Sequence, residues 1–369
     1  MANTIITADQ TDTTALGHIN VPPAQTWNYL RINDIAFDVP TPHFVGDVYA
    51  RLPQLFDKVE CGIGEDAVTW MAHAAGDARY VEVRAGEPHD PIVIDVDAAG
   101  CDVSDTGVLV RSGAQATIVT CSHGGATGAT SASLLRVIAE RDAQVTIIEL
   151  VACNKDQQHL DAVGIEAAED ARIEMRQYAL GGGKVALGLC CNLAGNASRF
   201  SLDSRYLVSG SDMLDVNHVV RQRGRSTRAD IVTTGILADS ARKTMRETID
   251  LIHGAKFAEG SEIETVLVTG DDVVNKTLPV ILCDEEDVAG NHGASIGAIS
   301  PEQLGFLGSR GLGEEEAERL FARALFDDAV IHAVDDDVRQ AVLARAATVL
   351  GADVARDIAE VLGYDIREA

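Results

Sequence analysis

Positive charge is in short supply: 30 Lys and Arg face 57 Asp and Glu across 369 residues, a net charge of −27. Such a surface repels phosphate backbones, and no Lys/Arg cluster offsets it, so nucleic acid and anionic membranes are excluded as expected partners. Long apolar runs are missing too. The stretch Val145–Val151 falls far short of the roughly 20 residues a membrane helix needs. Met1–Asn20 is polar and Thr-rich, with neither a basic n-region nor an apolar h-region. A soluble, cytoplasmic protein is therefore expected. The seven cysteines are scattered, odd in number and never spaced C-x-x-C. That argues against a preformed zinc site or a complete Cys-ligated cluster held by this chain alone. The adjacent Cys190 and Cys191 read as small core residues or a surface thiol.

Aromatic residues reach only 4%, against 33 glycines. Apolar residues at 46% still promise a sizeable core. Through the centre, short β-prone runs alternate with small-residue turns. Ser112-Gly113-Ala114-Gln115-Ala116-Thr117-Ile118 returns as Arg141-Asp142-Ala143-Gln144-Val145-Thr146-Ile147. It returns again as Glu169-Asp170-Ala171-Arg172-Ile173 and, more weakly, as Gly195-Asn196-Ala197-Ser198-Arg199-Phe200. Anchoring alanines at 114, 143, 171 and 197 define the period. Each copy reads as a turn, a small residue and an alternating strand. Such a period suggests stacked units that bury their faces only against their neighbours. Few amphipathic helices interrupt residues 80–290, which argues against a βαβ fold. The reading is a mainly β protein with a parallel β-helix core at 77–299, a β-sandwich being the competing one.

The ends differ. Residues 1–76 read as a segment with short helices, near Gly46–Phe56 and Glu65–Ala75. Residues 300–369 read as a helical domain. Ser300-Pro301-Glu302-Gln303 has the form of a capping box, and Gly311 and Gly313 break the helix it starts. Glu314-Glu315-Glu316 places negative charge in the first turn of the next helix. A third helix, about Asp336–Leu350, carries the stripe Val338, Val342, Ala346, Val349. A fourth, about Asp353–Leu362, stops at Gly363.

One stretch is more specific. Asp284-Glu285-Glu286-Asp287-Val288-Ala289-Gly290-Asn291-His292-Gly293-Ala294-Ser295-Ile296-Gly297 resembles the signature of the SufB/SufD family of iron–sulfur cluster assembly. Pro301-Glu302-Gln303-Leu304 and Leu307-Gly308-Ser309-Arg310-Gly311-Leu312 continue the likeness, as does Glu314-Glu315-Glu316-Ala317. Weaker agreement includes Trp27-Asn28-Tyr29, Val81–Gly86, Asp215-Val216-Asn217-His218 and Gly235-Ile236-Leu237. The resemblance implies a right-handed parallel β-helix flanked by helical domains. It further implies a scaffold without turnover of its own, pairing with a SufB-type subunit through the β-helix and docking a SufC ATPase through the C-terminal helices. A transient iron–sulfur cluster would form at the SufB–SufD interface, with no cofactor stably bound by this chain.

SufB members carry Gly-Asp-Cys upstream and Glu-His-Glu at the motif. Here the comparable positions read Gly270-Asp271-Asp272 and Asn291-His292-Gly293. The chain is thus similar to the SufD-type branch, the partner that completes a shared site. His292 is the candidate iron or cluster ligand, and His218, on a central rung, a secondary one. Arg310, Gly311 and Leu312 are candidates for partner binding, or for docking the helical domain on the β-helix. His123-Gly124-Gly125 reads as solenoid punctuation, and Gly181-Gly182-Gly183-Lys184 lacks the spacing of a P-loop. Two other functions compete: a homodimeric iron-binding scaffold that works with SufC but without SufB, and a carbohydrate-active β-helix enzyme. The second would need clustered carboxylates, and the acidic pairs Asp271-Asp272 and Asp335-Asp336 sit at expected turns or helix starts.

Overall fold

The computed structural model describes residues 12–23, 32, 35–42, 49–87, 89–97, 101–125 and 128–366. Its centre is a parallel β-solenoid built from two strands per turn. The odd strands form one eight-stranded sheet: β3 (Arg79–Val83), β5 (Cys101–Val110), β7 (Thr130–Ala139), β9 (Gln158–Ala167), β11 (Lys184–Leu193), β13 (Met213–Gln222), β15 (Arg242–Leu251) and β17 (Val274–Cys283). The even strands form the other: β4 (Ile92–Asp97), β6 (Gln115–Gly124), β8 (Gln144–Cys153), β10 (Arg172–Gly181), β12 (Arg199–Val208), β14 (Arg228–Leu237), β16 (Glu259–Val268) and β18 (Ala289–Gly297). Every strand pairs in parallel with those two places away, so each sheet runs the length of the solenoid.

The repeat explains the corners. Gly113, Asp142 and Asp170 adopt positive φ, which turns the chain sharply. The alanine that follows each of them, at 114, 143 and 171, is 0–1% exposed and points into the core. The fourth copy departs from the sequence reading. Ala197 itself takes the left-handed conformation, at φ 57°, and Ser198 fills the buried slot. The physical reason is length: residues 194–198 separate β11 from β12, one more than the corner 168–171 between β9 and β10. The backbone bonds Arg199 N–H to Ala171 O and Arg228 N–H to Ser198 O keep the column continuous.

Both outer faces are covered. A hairpin of β1 (Thr13–Leu16) and β2 (Phe37–Pro40), helix α1 (Glu65–Ala74) and the strip around Cys61–Ile63 lie on the odd sheet. Contact there is backbone to backbone: a Cβ on Gly188 would stand 2.2 Å from Ile63 N. Asn217 Nδ2 donates to Gly62 O at 2.7 Å. Buried Arg246 grips the Asp215 carboxylate with two nitrogens, at 2.8 and 3.2 Å, and also reaches Ile32 O. The helix expected at Gly46–Phe56 does not form in its described part. Pro53 disfavours helix in the residue before it, and only a 3₁₀ turn, Gln54–Lys58, follows. Trp27 and Tyr29 lie outside the described residues.

Helix α2 (Pro301–Gly308) leads to α3 (Glu314–His332), α4 (Asp336–Leu350) and α5 (Ala352–Leu362), which pack on the even sheet. Val338, Val342 and Ala346 of the expected stripe are buried together with sheet residues Ile148, Leu150 and Leu180, and Val349 packs partly buried against them. Tyr178 donates to Asp328 at 2.6 Å and Arg345 to Leu180 O at 2.8 Å, tying helix to sheet. The capping box at Ser300 and Gln303 forms as read, and Gly363 closes α5 in the left-handed region at φ 77°. Cys61, Cys121, Cys153, Cys190 and Cys191 are buried, and Cys283 is exposed.

Candidate functional site

The even sheet carries an inward column that changes character toward its end. Residues paired in register run Ile118, Ile147, Met175, Leu202, Ile231, then Glu262, then His292. The first five are aliphatic and at most 2% exposed. The last two are polar. His292 stands on β18, the final strand of its sheet, so its side chain is 47% exposed although it continues a core column. Beneath it the Glu262 side chain is fully buried, and Glu262 Oε1 lies 3.6 Å from His292 Nδ1. Neither oxygen of Glu262 has a hydrogen-bond partner. Burial, and then the neighbouring Glu247, push its carboxyl up to about 9. Near neutral pH Glu262 is therefore a carboxylic acid with free lone pairs, waiting under an imidazole at the mouth of the solenoid.

His218 connects to this point from within. It is fully buried, with Nε2 3.0 Å from Gln177 Oε1 and Nδ1 3.4 Å from Glu247 Oε1. Glu247 also accepts from Thr233 Oγ1 at 2.6 Å. Both ring nitrogens of His218 are thus engaged, which leaves no lone pair aimed at solvent. Glu247 beside His218 and Glu262 beside His292 were missed by the sequence reading, and the two carboxyls are near enough for Glu247 to push Glu262 up. A second buried pair flanks them, where Lys243 bonds Glu264 and Tyr206 donates to the same carboxylate at 2.9 Å.

Around this end the terminal strands stay open. Among the described residues nothing pairs with the outer edges of β17 and β18. On β18 every residue but Gly293 is exposed, Ile296 at 52%. An uncovered strand edge is a template for another strand. Cys283, in register with Leu251 at the end of β17, is exposed, and its Sγ reaches Glu285 O at 3.2 Å.

Arg310, Gly311 and Leu312 form the stop of α2. Gly311 has φ 84°, and the bonds Leu312 N–H to Leu307 O and Gly311 N–H to Gly308 O make a Schellman motif. The Arg310 guanidinium stacks on Phe306, 3.7 Å from the ring centroid. Phe306 and Phe321, 57% and 40% exposed, line an outward groove of about 320 Å³ with Glu302, Gln303 and Leu307.

A family model described as "SUF system FeS cluster assembly, SufBD core domain" matches residues 94–325, from β4 into α3. The chain belongs to the SufBD family. Its relatives include the iron–sulfur cluster assembly protein SufD of Bacillus subtilis, 28% identical over 157 residues, which are 42% of this chain and 36% of that protein. SufD of Escherichia coli is 24% identical over 204 residues, 55% and 48% of the two chains. A SufBD family assembly protein of Pyrococcus horikoshii is 27% identical over 184 residues, 47% and 55%. The matched stretches thus span about a third to just over half of these relatives' own lengths. The SufBD match covers His292, Glu262 and the stop of α2, and it ends inside α3, so α4 and α5 lie beyond it. No helix among the described residues is long and apolar enough to cross a membrane.

Proposed function

We propose that this chain is a SufD-type subunit of an iron–sulfur cluster assembly complex, with His292 contributing to a site that a second β-solenoid completes. The single observation that carries this reading is the column ending in Glu262 and His292 on an uncovered strand. A partner strand laid on β18 would bury His292 and bring its own side chains over Glu262. Imidazole and, once the metal has displaced the Glu262 proton to solvent, carboxylate suit ferrous iron, and two such groups from one chain leave coordination positions for the other. Here iron or a nascent cluster is the cargo, so an incomplete site on one chain fits a transient hold. With Asp272 where a SufB-type chain would have Cys, the thiolate would come from the partner. The groove at Phe306 and Phe321, beside the stop at Gly311, is the surface proposed for a SufC-type ATPase. The Asp335-Asp336 pair caps α4, with Asp335 accepting from Asp337 N–H and Val338 N–H, and so gives a glycosidase reading no support.

The test is reconstitution of the complex from this chain, a SufB-type partner and a SufC-type ATPase. His292→Ala, at an exposed edge, should leave the thermal midpoint unchanged and lower cluster loading several-fold, read by iron and sulfide content. Full loading of the variant would remove His292 from the site. Loading of this chain with the ATPase alone, without SufB, would instead favour a homodimeric scaffold.

A further inference from the structure

A second ligand set lies at the opposite end of the even sheet. Asp95 on β4 pairs in register with Cys121 on β6, and Asp97 with His123. Cys121 and His123 are two residues apart on one strand, so both face outward, as does Asp95. One ligand atom each from Asp95, Cys121 and His123 falls within 4.8 Å of the other two. His123 Nε2 is 2.9 Å from Asp95 Oδ1. The strand repeat alone does not ask for these residues: the next strand places Leu150 beside Cys121 and Ala152 beside His123.

We propose that Asp95, Cys121 and His123 form a binding site for one divalent ion of the zinc or ferrous class. Thiolate, imidazole and carboxylate together suit these ions and not calcium or magnesium, which take oxygen ligands. The surroundings fit as well. Cys121 is fully buried within the apolar cluster shared by the even sheet and the C-terminal helices, while the side chains of His123 and Asp95 are 28% and 57% exposed. One side of the site is therefore walled by protein and the other opens to water, which leaves a fourth position for a water or an exchanging ligand. Gly124 keeps the rim clear, since a Cβ there would stand 2.7 Å from Asp97 Oδ1. Binding balances simply: the ion takes the sulfur lone pair, the thiol proton leaves to solvent, and the His123 imidazole gives up its contact with Asp95 to coordinate. The site lies on the first strands of the sheet and His292 on the last, so this inference stands apart from the function proposed above.

The probe is cobalt(II), added to the full-length chain under reducing conditions. One equivalent should bind with a thiolate-to-cobalt charge-transfer band and raise the thermal midpoint, as a ligand of the folded state must. The band should vanish in Cys121→Ser and persist in Cys283→Ser. His123→Ala, at a partly exposed position that spares the core, should fold and weaken cobalt binding by at least about 100-fold, the upper range for losing even an outer-shell partner. No thiolate band in the wild type, or a band that survives in Cys121→Ser, would overturn the site. Competition by zinc(II) and by iron(II) then decides which of the two it prefers.

Discussion

At the scale of single residues, the interior of this solenoid is unusual in holding neutral acids. Asp161 is fully buried, 3.5 Å from His159 Nε2, and neither of its oxygens has a hydrogen-bond partner. Burial pushes Asp161 up to about 8 and His159 down to about 3, so at neutral pH the two meet uncharged rather than as an ion pair. The consequence for stability has a definite sign. A carboxyl whose pKa is higher in the folded state stabilises fully below its unfolded value, and that contribution is lost as pH rises through about 8. Asp161→Asn should accordingly be more stable than the wild type at about pH 8, with the gap closing toward about pH 4. Thermal midpoints measured across that range check it, and a constant gap would mean that Asp161 is not the titrating group. His159 works in the opposite sense, since its stabilisation is present above about 6.5 and lost as pH falls toward 3.

At the scale of elements, the C-terminal helices cover the even sheet and carry the docking surface proposed above, and one deletion would confuse the two. Residues after Ile299 cover Val119, Ile148, Leu150 and Leu180 of the even sheet, so removing them exposes a broad apolar face and invites aggregation. Point changes on the outward side separate docking from packing. Phe306→Ser combined with Phe321→Ser should leave the thermal midpoint nearly unchanged, because both rings are well exposed. It should weaken capture of a SufC-type ATPase at least about tenfold, the effect of losing about 1.4 kcal/mol; undiminished capture would place that partner elsewhere. On the other face, Gly188→Val forces a side chain into the backbone at Ile63. Overpacking of that kind costs typically 1–3 kcal/mol. Faster proteolysis around residues 52–63 is the expected sign that the N-terminal layer has lifted.

At the scale of the whole molecule, two properties pull against each other. The exposed edges of β17 and β18 favour strand addition, whereas a net charge of −27 repels a second copy. Self-association should therefore strengthen as salt rises toward physiological levels, where the screening length is about 8 Å. Ile296→Glu, on the outermost strand, should abolish it at every ionic strength; light scattering reads both outcomes. A SufB-type partner with a less acidic edge would escape the penalty, which gives a physical basis for choosing a heteromeric partner over self.

Much of the architecture was legible because it repeats. Small residues behind a left-handed corner recur every turn, and their period exposes a solenoid without any atomic detail. The helix signals after Ser300 are local hydrogen-bond chemistry, so α2 to α5 begin and end close to where sequence placed them. Facing direction is another matter. In Glu259–Val268 the alternation invites Ile263 inward and the glutamates outward, yet Ile263 is 50% exposed while Glu262 and Glu264 are buried. The reason is register: pairing of Ile231 with Glu262 carries the facing of β14 onto β16, and a stacked strand cannot slip by one residue without turning every side chain over. Likewise the five-residue corner before β12 moved the buried slot from Ala197 to Ser198. Sequence alone determined the family, the repeat and His292 as a residue of interest. Only the stacking of strands decided that His292 ends a core column over Glu262, and that Asp95 meets Cys121 and His123, because both meetings join strands whose pairing partners lie a full turn apart.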